Sequence, residues 1–269
     1  RSSRLIEIHA TWAKSSHATT VRPAELSDED LLETFIECSD MAFTHVLGDR
    51  HHVRFLVEDE DAEWGSGRWL ALPCGWDVHE KEVTLHHPER WRELPWEGGC
   101  AGCHVTGFRA DDHGFLELGV GCEECHGPSG QHANTALPGT SLSFAKSSAT
   151  QEVTVCASCH LQGGFSQSTG LKLPPHYRAG GPLFDDYRFD WSLLEQGEDA
   201  KVLDLHQKVV VHSVIELGDD SLRCTSCHSL HGLEDEKHRE LPKQDFCLMC
   251  HEDDFSLKEY SQSCNVCEF

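Results

Sequence analysis

Apolar and polar positions change rhythm several times along this chain. Ser27-Asp28-Glu29-Asp30 precedes Leu31, Leu32, Phe35 and Ile36 at helical spacing, which predicts a capped amphipathic helix. Its acidic first turn suits the positive end of the helix dipole. Residues 53–57, 68–72 and 82–85 look extended and are separated by acidic or glycine-rich turns, predicting a small β-rich lobe over residues 45–90. Between 100 and 160, Gly and Pro leave room for little beyond single helical turns. Pro174-Pro175 and Gly180-Gly181-Pro182 mark residues 161–200 as an irregular connection. Apolar periodicity returns over residues 201–217, and Gly218 stands where a helix C-terminus favours glycine. The run Val209-Val210-Val211 makes a strand the competing assignment.

Composition makes this pattern harder to understand as an ordinary core. A chain of 269 residues has room for one or two domains, yet only 38% of it is hydrophobic and 8% aromatic. The net charge of −24 makes nucleic acid and anionic membrane surfaces poor partners. It would steer a basic docking surface toward the chain, or simply keep it in solution. No apolar run approaches the roughly 20 residues of a membrane span, so none is predicted. With neither a Met nor a signal peptide at the start, Arg1 is expected to open a mature or trimmed form.

The 14 cysteines and 20 histidines supply the missing element. Cys-x-x-Cys-His occurs at Cys100-Ala-Gly-Cys103-His104, Cys122-Glu-Glu-Cys125-His126, Cys156-Ala-Ser-Cys159-His160, Cys224-Thr-Ser-Cys227-His228 and Cys247-Leu-Met-Cys250-His251. Composition alone would give about 0.05 such matches against the five observed. The spacing signals c-type haem attachment: two thiols add across the vinyl groups of one haem, and the adjoining His ligates iron. Five haems are expected, with His104, His126, His160, His228 and His251 as proximal ligands. Their porphyrin faces would supply the core that the side chains do not. Gaps of 22, 34, 68 and 23 residues between first cysteines suggest two close haems at each end, joined through the third. Two domains follow: residues 1–95 without a motif, and 96–269 binding five haems. The fold class is a multihaem cytochrome c, mainly α with extensive loop, a small β-containing N-terminal lobe and haems forming much of the core. Covalent haem attachment takes place outside the cytoplasm in prokaryotes, so a periplasmic or extracellular location is expected. Cys38, Cys74, Cys264 and Cys267 lie outside the motifs, and disulfides among them suit such a compartment.

The second axial ligand decides between electron transfer and chemistry. Fifteen histidines remain after the proximal five, a surplus that favours bis-histidine ligation. His132 follows a Gly-Pro turn after the second motif, and His231 is too close to His228 to reach the opposite face of the same iron. On a helix His206 and His212 diverge by about 240°, so each would serve a different haem. His17 is the N-terminal candidate.

The stretches His87-Pro88-Glu89-Arg90-Trp91, Gly99-Cys100 to Gly107-Phe108, Gly119-Val120-Gly121-Cys122 to Gly127-Pro128, and Cys227-His228-Ser229-Leu230-His231-Gly232 resemble multihaem cytochromes c. The resemblance, over roughly residues 87–251, is to the group of tetrahaem carriers of ammonia oxidisers and octahaem hydroxylamine-oxidising enzymes. It implies periplasmic or extracellular electron transfer through stacked haems, with His132 and His231 at positions that often ligate a neighbouring haem. Two departures stand out. The family's Trp-x-x-Ser-x-His segment, here Trp12-Ala13-Lys14-Ser15-Ser16-His17, commonly follows a haem motif, whereas Arg1-Ser2-Ser3-Arg4-Leu5 can neither tether nor ligate one. Cys264-Asn265-Val266-Cys267 is followed by Glu268, so a sixth haem there is not expected.

An electron carrier with mainly negative potentials, serving other redox proteins, is the leading expectation. One alternative is a subunit of an extracellular cytochrome filament, with His9 or His17 donated to a neighbouring copy. Another is a reductase of nitrogen or sulfur oxyanions. No motif carries the Lys of the pentahaem nitrite reductases, and only Tyr177, Tyr187 and Tyr260 are present for a tyrosine cross-link, so no catalytic residue is assigned. Zinc is disfavoured because its Cys-x-x-Cys half-sites need no adjoining His.

Overall fold

A computed structural model of the chain describes residues 2–25, 43–48, 52–59, 68–86, 89, 92, 96–135, 141–161, 163–191, 205–226, 228, 230 and 231. The helix predicted after Ser27, the fifth motif, Cys38, Cys227, Cys264 and Cys267 lie outside these residues.

The β-lobe is an antiparallel meander of five strands in sequence order. They are β1 (Val21–Pro23), β2 (His45–Leu47), β3 (His52–Asp59), β4 (Arg68–Asp77) and β5 (Glu82–Leu85). Three coincide with the extended stretches expected from sequence. β1 and β2 were not expected, because three residues are too few to display a period of two. Alternation along β3 divides the apolar residues between two faces. Val53, Phe55 and Val57 join Val46, Leu70, Leu72 and Cys74 in one core. Leu56 points the other way and packs with Val21, Leu47, Trp96, Ala101, Val105, Phe108 and Leu173. The second face therefore seats the sheet directly on the first Cys-x-x-Cys-His motif.

The N-terminal helices belong spatially with the motif region. α1 (Ser2–Trp12) and α2 (Ser16–Thr19) precede the sheet. The Trp12 indole donates to the Val120 carbonyl at 3.1 Å, and the Val120 amide donates to His17 at 2.8 Å. Gly119 permits this approach: its φ is +78°, and a Cβ there would stand 2.3 Å from the Ala18 carbonyl oxygen.

The motif segment is more regular than single turns. α3 (Trp96–Gly99) and α4 (Ala101–His104) carry the first motif, and α5 (Cys122–His126) and α6 (Gly130–Thr135) the second. β6 (Val105–Thr106) pairs with β7 (Glu117–Leu118). The third motif ends a 12-residue helix, α7 (Ala149–His160), opened by a capping box between Ser148 and Gln151. Its Ala149, Val153 and Ala157 recur four apart and are all buried, which makes the longer helix worth forming. Residues 161–200 also gain structure: β8 (Phe165–Ser166) pairs with β9 (Tyr187–Arg188), and the Tyr187 hydroxyl donates to the Leu161 carbonyl at 2.9 Å.

The competition over residues 201–217 resolves as helix, α8 (Leu205–Leu217), ending at Gly218 with φ +59°. Val211 and Val214 pack on Val153, Ala157, Leu161, Leu183, Tyr187 and Phe189. Tertiary burial against α7 thus overrides the β preference of the valine run. No described helix is long and apolar enough to cross a membrane.

Candidate haem centres

One helical turn spaces the two cysteines of a motif three residues apart on one side, with His next in line. α4, α5 and the end of α7 do this for the first three motifs, and a 3-10 turn at Cys224–Ser226 for the fourth. The motifs converge around α7. The Cys103 thiol is hydrogen-bonded to Cys159, and Cys156 to Cys224. Gly102, Glu123, Glu124 and Ser158, all intervening motif residues, line one cleft of about 250 Å³.

Two histidines distant in sequence come to face motif histidines. The His17 and His160 rings have centroids 6.1 Å apart at 90° to each other. His231 faces His126 at 5.9 Å and 21°. Two imidazoles on opposite sides of one metal, each about 2 Å from it through nitrogen, have centroids at about this separation. α1 and α2 account for both placements. The Val120 bond fixes His17, and the Thr11 hydroxyl reaches the His231 carbonyl at 2.5 Å.

Burial shifts several motif side chains toward their uncharged forms. Burial, with His160 and Arg54 nearby, pushes His104 down to about 4, so its ring is neutral at pH 7. Its Nδ1 lies 2.5 Å from the Thr20 hydroxyl. His126 Nδ1 lies 2.7 Å from the Leu142 carbonyl oxygen, which can only accept, so Nδ1 carries a proton and Nε2 is the nitrogen left for a metal. Burial, and the nearness of His126, lower His231 as well. Burial pushes the Cys125 thiol up to about 12; Cys103, through its bond to Cys159 and its burial, is also raised.

The other sequence candidates are distributed more widely. His212 packs on Trp191 at 5.1 Å, and its Nε2 lies 3.8 Å from the Glu216 carboxylate. His132 is half-buried on α6. His206 lies on α8 with its side chain outside the described residues, and Cys227, Cys247, Cys250 and His251 are likewise outside. His228 is exposed after the fourth motif's turn. His17 turns inward to its own chain. Cys74 is buried within the sheet core. Sequence reasoning missed Thr20, because a hydroxyl partner for Nδ1 carries no motif. It missed the Leu142 carbonyl for a stronger reason: a backbone acceptor leaves no trace in residue identity.

A family model described as a doubled CXXCH motif matches residues 212–255, spanning the fourth and fifth motifs. The fold is similar to that of the outer cell wall cytochrome OcwA, with a TM-score of 0.61 and 18% identity over 91% of this chain and 65% of that one. The chain thus carries the doubled CXXCH pattern at its fourth and fifth motifs and has the fold of a multihaem cytochrome. The chain is also similar to an undecahaem cytochrome from the S-layer of Carboxydothermus ferrireducens, at 18% identity and a TM-score of 0.48, over 90% of its own length and 40% of the other. It thus spans less than two thirds of both matched chains. No curated protein sequence matches it. The described donors fit haem c: thiols paired on one helical turn at the first three motifs, a His104 ring neutral at pH 7, and two histidine pairs with ring centroids about 6 Å apart.

Proposed function

We propose that the cytochrome carries electrons through five covalently held haems, mostly ligated by two histidines each. The observation that carries this reading is the pair of facing imidazoles, His17 with His160 at 6.1 Å and His126 with His231 at 5.9 Å. Haem c bound at these sites supplies a one-electron iron couple whose potential follows its axial ligands and surroundings. The chain's own residues do the rest. Cys100 and Cys103, Cys122 and Cys125, Cys156 and Cys159, Cys224 and Cys227, and Cys247 and Cys250 tether; His104, His126, His160, His228 and His251 ligate from the proximal side. His17 and His231 would supply the second imidazole to the haems held by His160 and His126. Saturating both axial positions removes the open site a reductase needs, which supports a carrier over an enzyme.

Convergence of the first, second and fourth motifs on α7 supports a central place for Cys156, Cys159 and His160, which would hold the haem linking the others. The location is periplasmic or extracellular, and the partners are redox proteins with basic docking surfaces, which the net charge of −24 favours. A pyridine haemochrome assay with intact mass, joined to EPR of the oxidised protein, tests the reading. Five haems and a dominant low-spin signal are expected. Fewer haems, or a signal mainly high-spin, would overturn it.

A further inference from the structure

Among the described residues Glu152 is the one buried carboxylate, 1% exposed. It stands one turn before Cys156 on α7, on the same face of the helix. Its Oε1 accepts from the Thr225 amide at 2.9 Å and from the Thr225 hydroxyl at 2.6 Å. Thr225 lies between Cys224 and Cys227, so one side chain ties the third motif's helix to the fourth motif's turn. Glu152 Oε2 faces Arg223 Nη1 at 3.5 Å, and Arg223 also donates to the Ser147 carbonyl at 2.9 Å, beside the cap of α7.

Holding Thr225 does not require a charge, since an amide oxygen would accept the same two bonds. A carboxylate taken out of water is costly even when paired, so the negative charge has consequences beyond docking. The two partners are screened unequally: the Glu152 side chain is 1% exposed and that of Arg223 34%. Water damps the positive member more, and a negative field remains in the interior between the two motifs. Negative charge near iron favours the ferric state.

We propose that Glu152 is a shared positioning residue for the third and fourth haems, holding their motifs together by hydrogen bonds and lowering both reduction potentials by its charge. This rests on the haem reading above, and the experiment separates the two.

The test is a spectroelectrochemical titration of the haem-loaded Glu152→Gln protein, with haem content measured alongside. Gln keeps the acceptor for Thr225 and removes the charge. Part of the absorbance change, corresponding to two haems, is expected at higher potential. The reduced-to-oxidised ratio of these haems at a fixed potential should rise about tenfold, or about 59 mV for a one-electron couple. Glu152→Asp, which retains the charge, should leave the potentials near the wild-type values. A Glu152→Gln curve superimposable on wild type, at full haem content, would overturn the proposal; so would an equal shift in Glu152→Asp. If Glu152→Gln fails to accumulate, Arg223→Gln tests the pair from its other side. Removing the positive member must lower the same potentials, and unchanged or raised values would overturn the proposal. A wild-type haem count below five would refute the haem reading instead.

Discussion

His17 and His231 mark the boundary between what residue identity reveals and what it does not. The surplus of histidines made both visible as ligand candidates, alongside His132, His206 and His212. Nothing in the sequence indicated that His17 would meet His160, or that His231 would meet His126, because those pairings depend on the path of α1 and α2 back across Val120. Replacing either residue tests the pairing directly. His17→Ala should leave one iron with an open face, adding a high-spin ferric EPR signal worth about one haem while the tethers stay intact. His231→Ala should do the same for another haem, and the double variant should add the two. A wholly low-spin spectrum in either single variant would exclude that residue as a ligand. His212, half-buried between Trp191 and Glu216, is expected to change the spectrum less than either.

Elements were legible where their period had room to repeat. β3, β4 and β5 were visible as alternation, and α8 as helical periodicity with a terminal glycine. α7 was hidden although Ser148-Ala149-Thr150-Gln151 is a capping box, because closely spaced motifs suggested only single turns. Its buried face is made of small residues, which give a weak hydrophobic signal. The contact between α2 and the turn before the second motif has no sequence signature beyond Gly119 itself. Gly119→Ala probes it. A side chain at φ +78° costs roughly 1–2 kcal/mol, before counting the approach of its Cβ to the Ala18 carbonyl at 2.3 Å. The melting temperature should fall by at least about 2–4 °C. The same high-spin signal as in His17→Ala should grow, since His17 is held through this contact. A melting temperature equal to wild type would show that the contact does not hold His17 in place.

At the scale of the whole molecule, charge and core raise separate questions. The net charge of −24 predicts fast electron exchange with a basic redox protein at low salt. The Debye length shrinks from about 30 Å at 0.01 M to about 8 Å at 0.15 M. Stopped-flow rates should therefore fall about tenfold or more over that range. An acidic partner should show the opposite trend, and a rate indifferent to salt would remove electrostatic steering from the account. Among the described residues the core is divided into three clusters, one on each face of the sheet and one between α7, α8 and the β8–β9 ribbon. Motif side chains border the first and third of these, consistent with haem supplying the apolar surface that a 38% hydrophobic chain lacks.

The sequence alone pointed to c-type haem, named the candidate tethering residues, and announced three strands of the sheet and the helix before Gly218. Covalent attachment demands adjacent residues, and strands and helices announce themselves through local periodicity. Only the tertiary structure decided which histidines face one another, which motifs meet at α7, and that Glu152 joins the third motif to the fourth. Those relations are made by chain segments far apart in sequence. Their geometry follows from packing of α1, α2 and the sheet against the motif region, which no local pattern encodes.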